Sequence, residues 1–170
     1  MTTLLERVSD PRLTARRLQV LMAHNDVAVR SAVACNPSTP LGALLRLLAE
    51  FPTQVLDNSG LLLHRLADPA LFAHADPELQ VDWARHPDTP SWLLAELATC
   101  HDSSVRAGVA SHANTAVEVV ERLAFPADFG DDDWEPCVDA MYHPGLPPGL
   151  LFDVAMAFAA RSATKRAGPR

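Results

Sequence analysis

The stretch RHPDTPSWLLAEL (Arg85–Leu97) rewrites CNPSTPLGALLRL (Cys35–Leu47), fifty residues earlier. Each sets an Asn or His, a Pro, a polar residue, Thr and a second Pro ahead of a leucine-rich run. Proline lacks an N–H, and at the first position of a helix that N–H has no partner anyway, while a preceding Thr can cap it. Thr39-Pro40 and Thr89-Pro90 therefore read as helix starts. Pro37 and Pro87 follow apolar runs and read as helix stops. The unit is a short helix, a tight turn and a second short helix.

Aspartate supplies a second start signal. SDP (Ser9–Pro11), ADP (Ala67–Pro69) and ADP (Ala75–Pro77) each place an Asp cap before a Pro. Asp26 and Asp102 can cap in the same way. They lie four residues before Arg30 and Arg106, a spacing that allows surface ion pairs worth ~0.3–0.5 kcal/mol. A structural role of this kind competes with a ligand-binding role for the two arginines.

Four segments align, beginning at Val29, Leu79, Val105 and Cys137. Their turn residues are Asn36, His86, His112 and His143, at spacings of 50, 26 and 31. A unit of about 25 residues fits if one degenerate copy lies between Asn36 and His86. VLDNSGLLLHRLADP (Val55–Pro69) is the candidate. The expected repeats are 11–50, 51–74, 75–100, 101–125 and 136–160, within one domain spanning 1–160. An acidic insertion at 126–136 lengthens the last spacing. Two short helices cannot bury their apolar faces alone, so successive units must stack. The expected fold is all-α, an α-solenoid.

The phrase VRSAVACNPSTPLGALLRLLAE (Val29–Glu50) resembles the leucine-rich repeat variant family, a bacterial family allied in architecture to HEAT-type repeats. That family writes V-R-x-x-V-A, then N/H-P-x-T-P, then L-L-x-x-L-A. The resemblance covers about Asp26–Phe125 and, more weakly, Cys137–Ala157. It implies short α and 3₁₀-like helices wound into a right-handed superhelix. The family's founding type also carries an iron–sulfur cluster on a separate cysteine-rich segment. No such segment occurs here, so that property is not carried over. The copy HANTA replaces both prolines by Ala113 and Ala116, and HPGLP lacks the Thr. In HANTA, Thr115 and Glu118 have capping-box spacing.

The 170 residues are 48% hydrophobic and 21% charged, ordinary for a globular chain. The net charge of −7 and a pI near 5.4 disfavour a generic nucleic-acid binder. Cys35, Cys100 and Cys137 form no CxxC pair, which points to a reducing compartment. No signal peptide and no apolar run of the ~20 residues needed to cross a bilayer is visible. The expectation is a soluble cytoplasmic protein.

The residues with chemistry in them read mostly as repeat positions. His86, His112 and His143 recur at one position, as do His24 and His74 at another. Units stacked about 8–10 Å apart offer zinc at most a neighbouring pair from such a ladder, because its ligands sit ~2.0–2.1 Å from one point. Cys100 beside His101 could suggest a nucleophile and base, but neighbouring residues usually point apart and no orienting acid accompanies them. Cys35 and Cys137 read as small packing residues. The insertion DFGDDDW (Asp128–Trp134) lacks EF-hand spacing; a solvated loop competes with a cation or basic-partner site. RSATKRAGPR (Arg161–Arg170) reads as a disordered basic tail. Trp83 reads as core. Trp92 reads as a rim residue able to anchor a partner.

The expected function is a non-enzymatic scaffold binding a protein or peptide, with Trp92, Arg30 and Arg106 as candidate contacts. No catalytic residue, cofactor or metal ligand is assigned. The alternative is a nucleic-acid module using arginines along one face.

Overall fold

The computed structural model describes residues 3–125 and 134–146, together with 149, 152 and 156. The acidic insertion as far as Asp133, the last repeat beyond Leu146 apart from three residues, and the basic tail lie outside the described residues. Among these residues the secondary structure is helical, with no strand. The helices are α1 (Leu4–Val8), α2 (Ala15–Leu21), α3 (Val27–Cys35), α4 (Leu41–Leu47), α5 (Pro52–Leu56), α6 (Ser59–Ala67), α7 (Pro77–Arg85), α8 (Ser91–Leu97), α9 (Ser103–Ser111), α10 (Val117–Ala124) and α11 (Trp134–Met141). They group into two compact units, Met1–Thr89 and Pro90–Arg170.

In the first unit α3 packs on α1, α2 and α5, and α4 packs on α5 and α6. Alternate helices thus stack in two layers: α1, α3, α5 in one and α4, α6 in the other. Leu18, Leu44, Leu48, Leu61, Phe72 and Trp83 of this unit are fully buried, each worth ~1.5–3 kcal/mol of transfer free energy. Trp83 meets Phe72 edge-on at 5.7 Å and donates its Nε1–H to the Leu45 carbonyl at 3.1 Å, so the indole is buried without an orphaned donor. In the second unit α9 packs against α8, α10 and α11. Its small buried residues Ala107, Gly108 and Ala110 leave room for that close approach.

The helix starts depart from expectation in an informative way. Asp26, Asp76 and Asp102 do cap α3, α7 and α9, accepting from the N–H two residues on. Asp10 and Asp68 accept from Arg12 and Ala70 N–H in the same geometry, yet turns follow them rather than helices. Thr39 and Thr89 are not caps. Helices α4 and α8 begin after Pro40 and Pro90, which occupy the cap position without a side-chain bond. The threonine hydroxyls instead donate backwards, to the Val33 and Trp83 carbonyls at 2.6 Å each. Each of these carbonyls, in the last turn of its helix, also accepts the N–H of the turn residue, Asn36 or His86, so the threonine adds a second bond at the helix end. Thr115 does the same to Val109 at 2.7 Å, so its expected capping box with Glu118 is not formed. A capping box does form at α1, between Thr3 and Glu6.

The degenerate copy is α5 and α6, inside the expected 51–74. Its turn residue is Asn58, which follows a helix shortened to five residues and precedes one lengthened to nine. Gly60 sits so close to the preceding turn that a Cβ there would lie 2.6 Å from the Pro37 carbonyl oxygen.

Candidate binding surfaces

The Asn/His position holds the turns and ties units together. Asn36, Asn58, His86, His112 and His143 each accept, through Oδ1 or Nδ1, the N–H two residues ahead at 2.8–3.1 Å. The other end of the side chain can then donate. Asn36 Nδ2 donates to the Val8 and Asp10 carbonyls, and Asn58 Nδ2 to those of Ala34 and Asn36. His143 Nε2 lies 2.9 Å from the His112 carbonyl oxygen. Because Nδ1 of His143 accepts from Gly145, the ring proton is on Nε2 and this contact is a donated bond. A histidine here is therefore a longer asparagine. Each of these three residues reaches the turn of the unit before it.

Arg30 and Arg106 occupy another recurring position, six residues before the turn residue. Arg30 Nη1 donates to the His24 and Asn25 carbonyls at 2.7 and 3.2 Å. Arg106 Nη1 donates to those of Cys100 and His101 at 2.9 and 2.6 Å. Gln80 and Cys137 sit at the same position and donate to carbonyls at the end of the preceding segment, Phe72 and Ala73 for one, Leu123 and Ala124 for the other. Arg30 does not turn to Asp26, which caps α3, but forms a two-pronged ion pair with Glu50. The Glu50 hydrogen bond, chiefly, raises the affinity of that guanidinium for its proton. Both arginines are thus held against backbone.

Trp92 is 41% exposed on α8, and Trp83 is buried. The cysteines divide differently from expectation: Cys100 and Cys137 are buried, but Cys35 is exposed at the end of α3. Burial, followed by the Glu96 and Asp102 carboxylates, pushes the Cys100 thiol up, which disfavours the thiolate a nucleophile would need. His24 accepts from Asp26 N–H, whereas His74 pairs with Asp68 at the surface. The described residues bring no three His, Cys, Asp or Glu side chains together in a metal-binding cluster. No helix among them is long and apolar enough to cross a membrane.

Two features were not singled out by the sequence. On α6, Leu62, Leu63 and Leu66 are 51%, 69% and 80% exposed. Between α1 and α2 lies a groove of about 550 Å³, lined by Leu4, Leu13 and Val20 among its apolar residues and by Arg7, Arg16 and Arg17. Its clue in the sequence is a local charge excess: the first 25 residues hold four arginines and two carboxylates in a chain of net −7.

Compared with known protein families, curated proteins and solved structures, the chain gives no match.

Proposed function

We propose that this chain is a non-enzymatic helical-repeat module of the leucine-rich repeat variant type, wound as a right-handed α-solenoid and binding a protein or peptide in the cytoplasm. The observation that carries the reading is the recurring hydrogen-bond scheme. Side chains at fixed offsets in the repeat are spent on turns and on carbonyls of the preceding unit. The turn histidines His86, His112 and His143, and the candidate contacts Arg30 and Arg106, thereby have architectural work. Among the large apolar side chains left exposed, Trp92 on α8 is the proposed anchor.

Affinity capture from the native cell, run in parallel with the wild-type chain and Trp92→Ala and repeated after nuclease treatment, tests this. A protein retained by the wild type, depleted with the variant and indifferent to nuclease is the expected result. Retention that disappears with nuclease would replace the scaffold with the nucleic-acid alternative.

A further inference from the structure

The groove between α1 and α2 is built on a face that other units bury. Asn36 bonds to the Val8 and Asp10 carbonyls as Asn58 bonds to those of Ala34 and Asn36. This sets Asp10 in register with the Asn and His turn residues. Counting from them, Arg7 falls on the position of Val33, Val55, Trp83, Val109 and Ala140, all buried. Arg17 falls on that of Ala43, Leu93 and Val119, likewise buried. Trp83 shows which way the first position looks, for its indole reaches the Leu45 carbonyl of an earlier helix. In the degenerate copy the second position holds Arg65, whose guanidinium lies over the Phe72 ring at 5.3 Å. Arg7 and Arg17 thus stand at positions that other copies bury, the first of them reaching an earlier helix at Trp83.

Around α1 and α2 that face is open. Leu4 is 41% and Val20 71% exposed, and both line the groove. Among the described residues, Arg7, Arg16 and Arg17 line it with no ion pair and no side-chain hydrogen bond, and all three are exposed. Three unpaired guanidiniums around an apolar floor define a complementary occupant. It must present apolar side chains to Leu4, Leu13 and Val20 and carboxylates to the arginines. Its backbone is helical, because stacking faces of this repeat receive helices.

We propose that the groove binds an acidic amphipathic helix of a partner protein, which stacks on α1 and α2 as another repeat would. The proposal rests on the binding-module reading but uses a groove whose lining does not include Trp92. The groove volume lies within the ~300–1,000 Å³ typical of ligand pockets, enough for the anchoring side chains of a helix laid along it rather than for a whole domain.

The test is fluorescence anisotropy of the purified full chain. The probe is a labelled peptide of about 14 residues, with leucines at i, i+3, i+4 and i+7 and glutamates between them. The expected result is saturable binding that weakens with salt. Arg7→Glu and Arg17→Glu should each weaken it at least tenfold, and Val20→Asp comparably. Arg12→Glu, exposed but outside the groove, and Trp92→Ala should leave it within twofold. Circular dichroism establishes that each variant is folded. A peptide with lysines in place of the glutamates should not bind. Equal loss with Arg12→Glu would reduce the effect to general charge and overturn the site, as would equal affinity for the lysine peptide or no binding at all. Sedimentation showing a dimer that Arg7→Glu dissolves would assign the groove to a second copy instead. Duplex DNA binding lost in Arg17→Glu would assign it to nucleic acid. Failure of the peptide while capture through Trp92 persists would remove this site and leave the module reading standing.

Discussion

A single side chain in this repeat does two jobs, and histidine and asparagine are interchangeable at it for a stated reason. Asn58 is 3% exposed; its Oδ1 takes the Gly60 N–H and its Nδ2 serves two carbonyls of the preceding unit. His143 is 5% exposed and divides the same work between Nδ1 and Nε2. Truncation removes the bond to the Gly145 N–H and one of the two bonds at the His112 carbonyl, which keeps the Thr115 N–H, so the loss is that of ordinary hydrogen bonds, ~0.5–1.5 kcal/mol each. His143→Ala should therefore lower the urea midpoint clearly. His143→Asn should recover much of the loss, since Asn keeps an acceptor and a donor in the same order. Equal midpoints for the two variants would show that the ladder bond contributes nothing. The cysteines give a second residue-scale expectation. Cys35 is exposed, whereas the Cys100 thiol is buried and pushed up by that burial and by nearby carboxylates. Alkylation depends on the thiolate and on access. Iodoacetamide on the native protein should modify Cys35 first, and Cys100 only at higher pH or on unfolding. Peptide mass mapping of a time course reads the order directly.

At the scale of elements, the turn positions were legible in the sequence and the uses of their side chains were not. Five Asn or His residues mark the turns, and four of them were found by alignment. Asn58 escaped because α5 is shortened to five residues and α6 lengthened to nine, which moves the turn within its unit. The Thr-Pro reading failed for a chemical reason: a hydroxyl can donate as well as accept, and Thr39, Thr89 and Thr115 donate backwards to a helix end. Asp-Pro was ambiguous for a different one. Asp10, Asp68 and Asp76 accept from the N–H two residues on at 2.9–3.0 Å, whether a turn or a helix follows. The local bond is the same, so packing beyond it decides the outcome. Gly60 shows non-local control most directly. In an exposed helix, replacing Gly by Ala stabilises by about 1 kcal/mol. Here the added Cβ would sit 2.6 Å from the Pro37 carbonyl oxygen, a backbone atom with little freedom to move. Gly60→Ala should lower the thermal midpoint instead of raising it. A higher midpoint would mean that α6 does not approach the turn this closely.

Across the whole molecule, composition separates the candidate functions better than any single motif does. The helical class was legible from the leucine-rich periodicity and the proline punctuation. The arginine-lined groove was not, because it depends on which repeat positions Arg7 and Arg17 occupy, and the first copy lacks the VR and TP phrases that set the register elsewhere. Charge weighs against the nucleic-acid alternative. The chain carries 21 carboxylates against 14 basic residues. Affinity for DNA comes mainly from counterions released by Lys and Arg at phosphates and falls steeply with salt. Arg30 and Arg106, the arginines a nucleic-acid reading would enlist first, hold backbone carbonyls, and Arg30 is also paired with Glu50. Freeing them would cost those bonds before any phosphate was gained. Labelled duplex and single-stranded oligonucleotides titrated near physiological salt should therefore show no saturable binding below ~10 µM, the middle of the range for non-specific DNA binders. Binding tighter than that, abolished by replacing Arg30 and Arg106 in a chain that circular dichroism shows to be folded, would mean that the arginines leave the backbone for phosphate and that the protein is a nucleic-acid module.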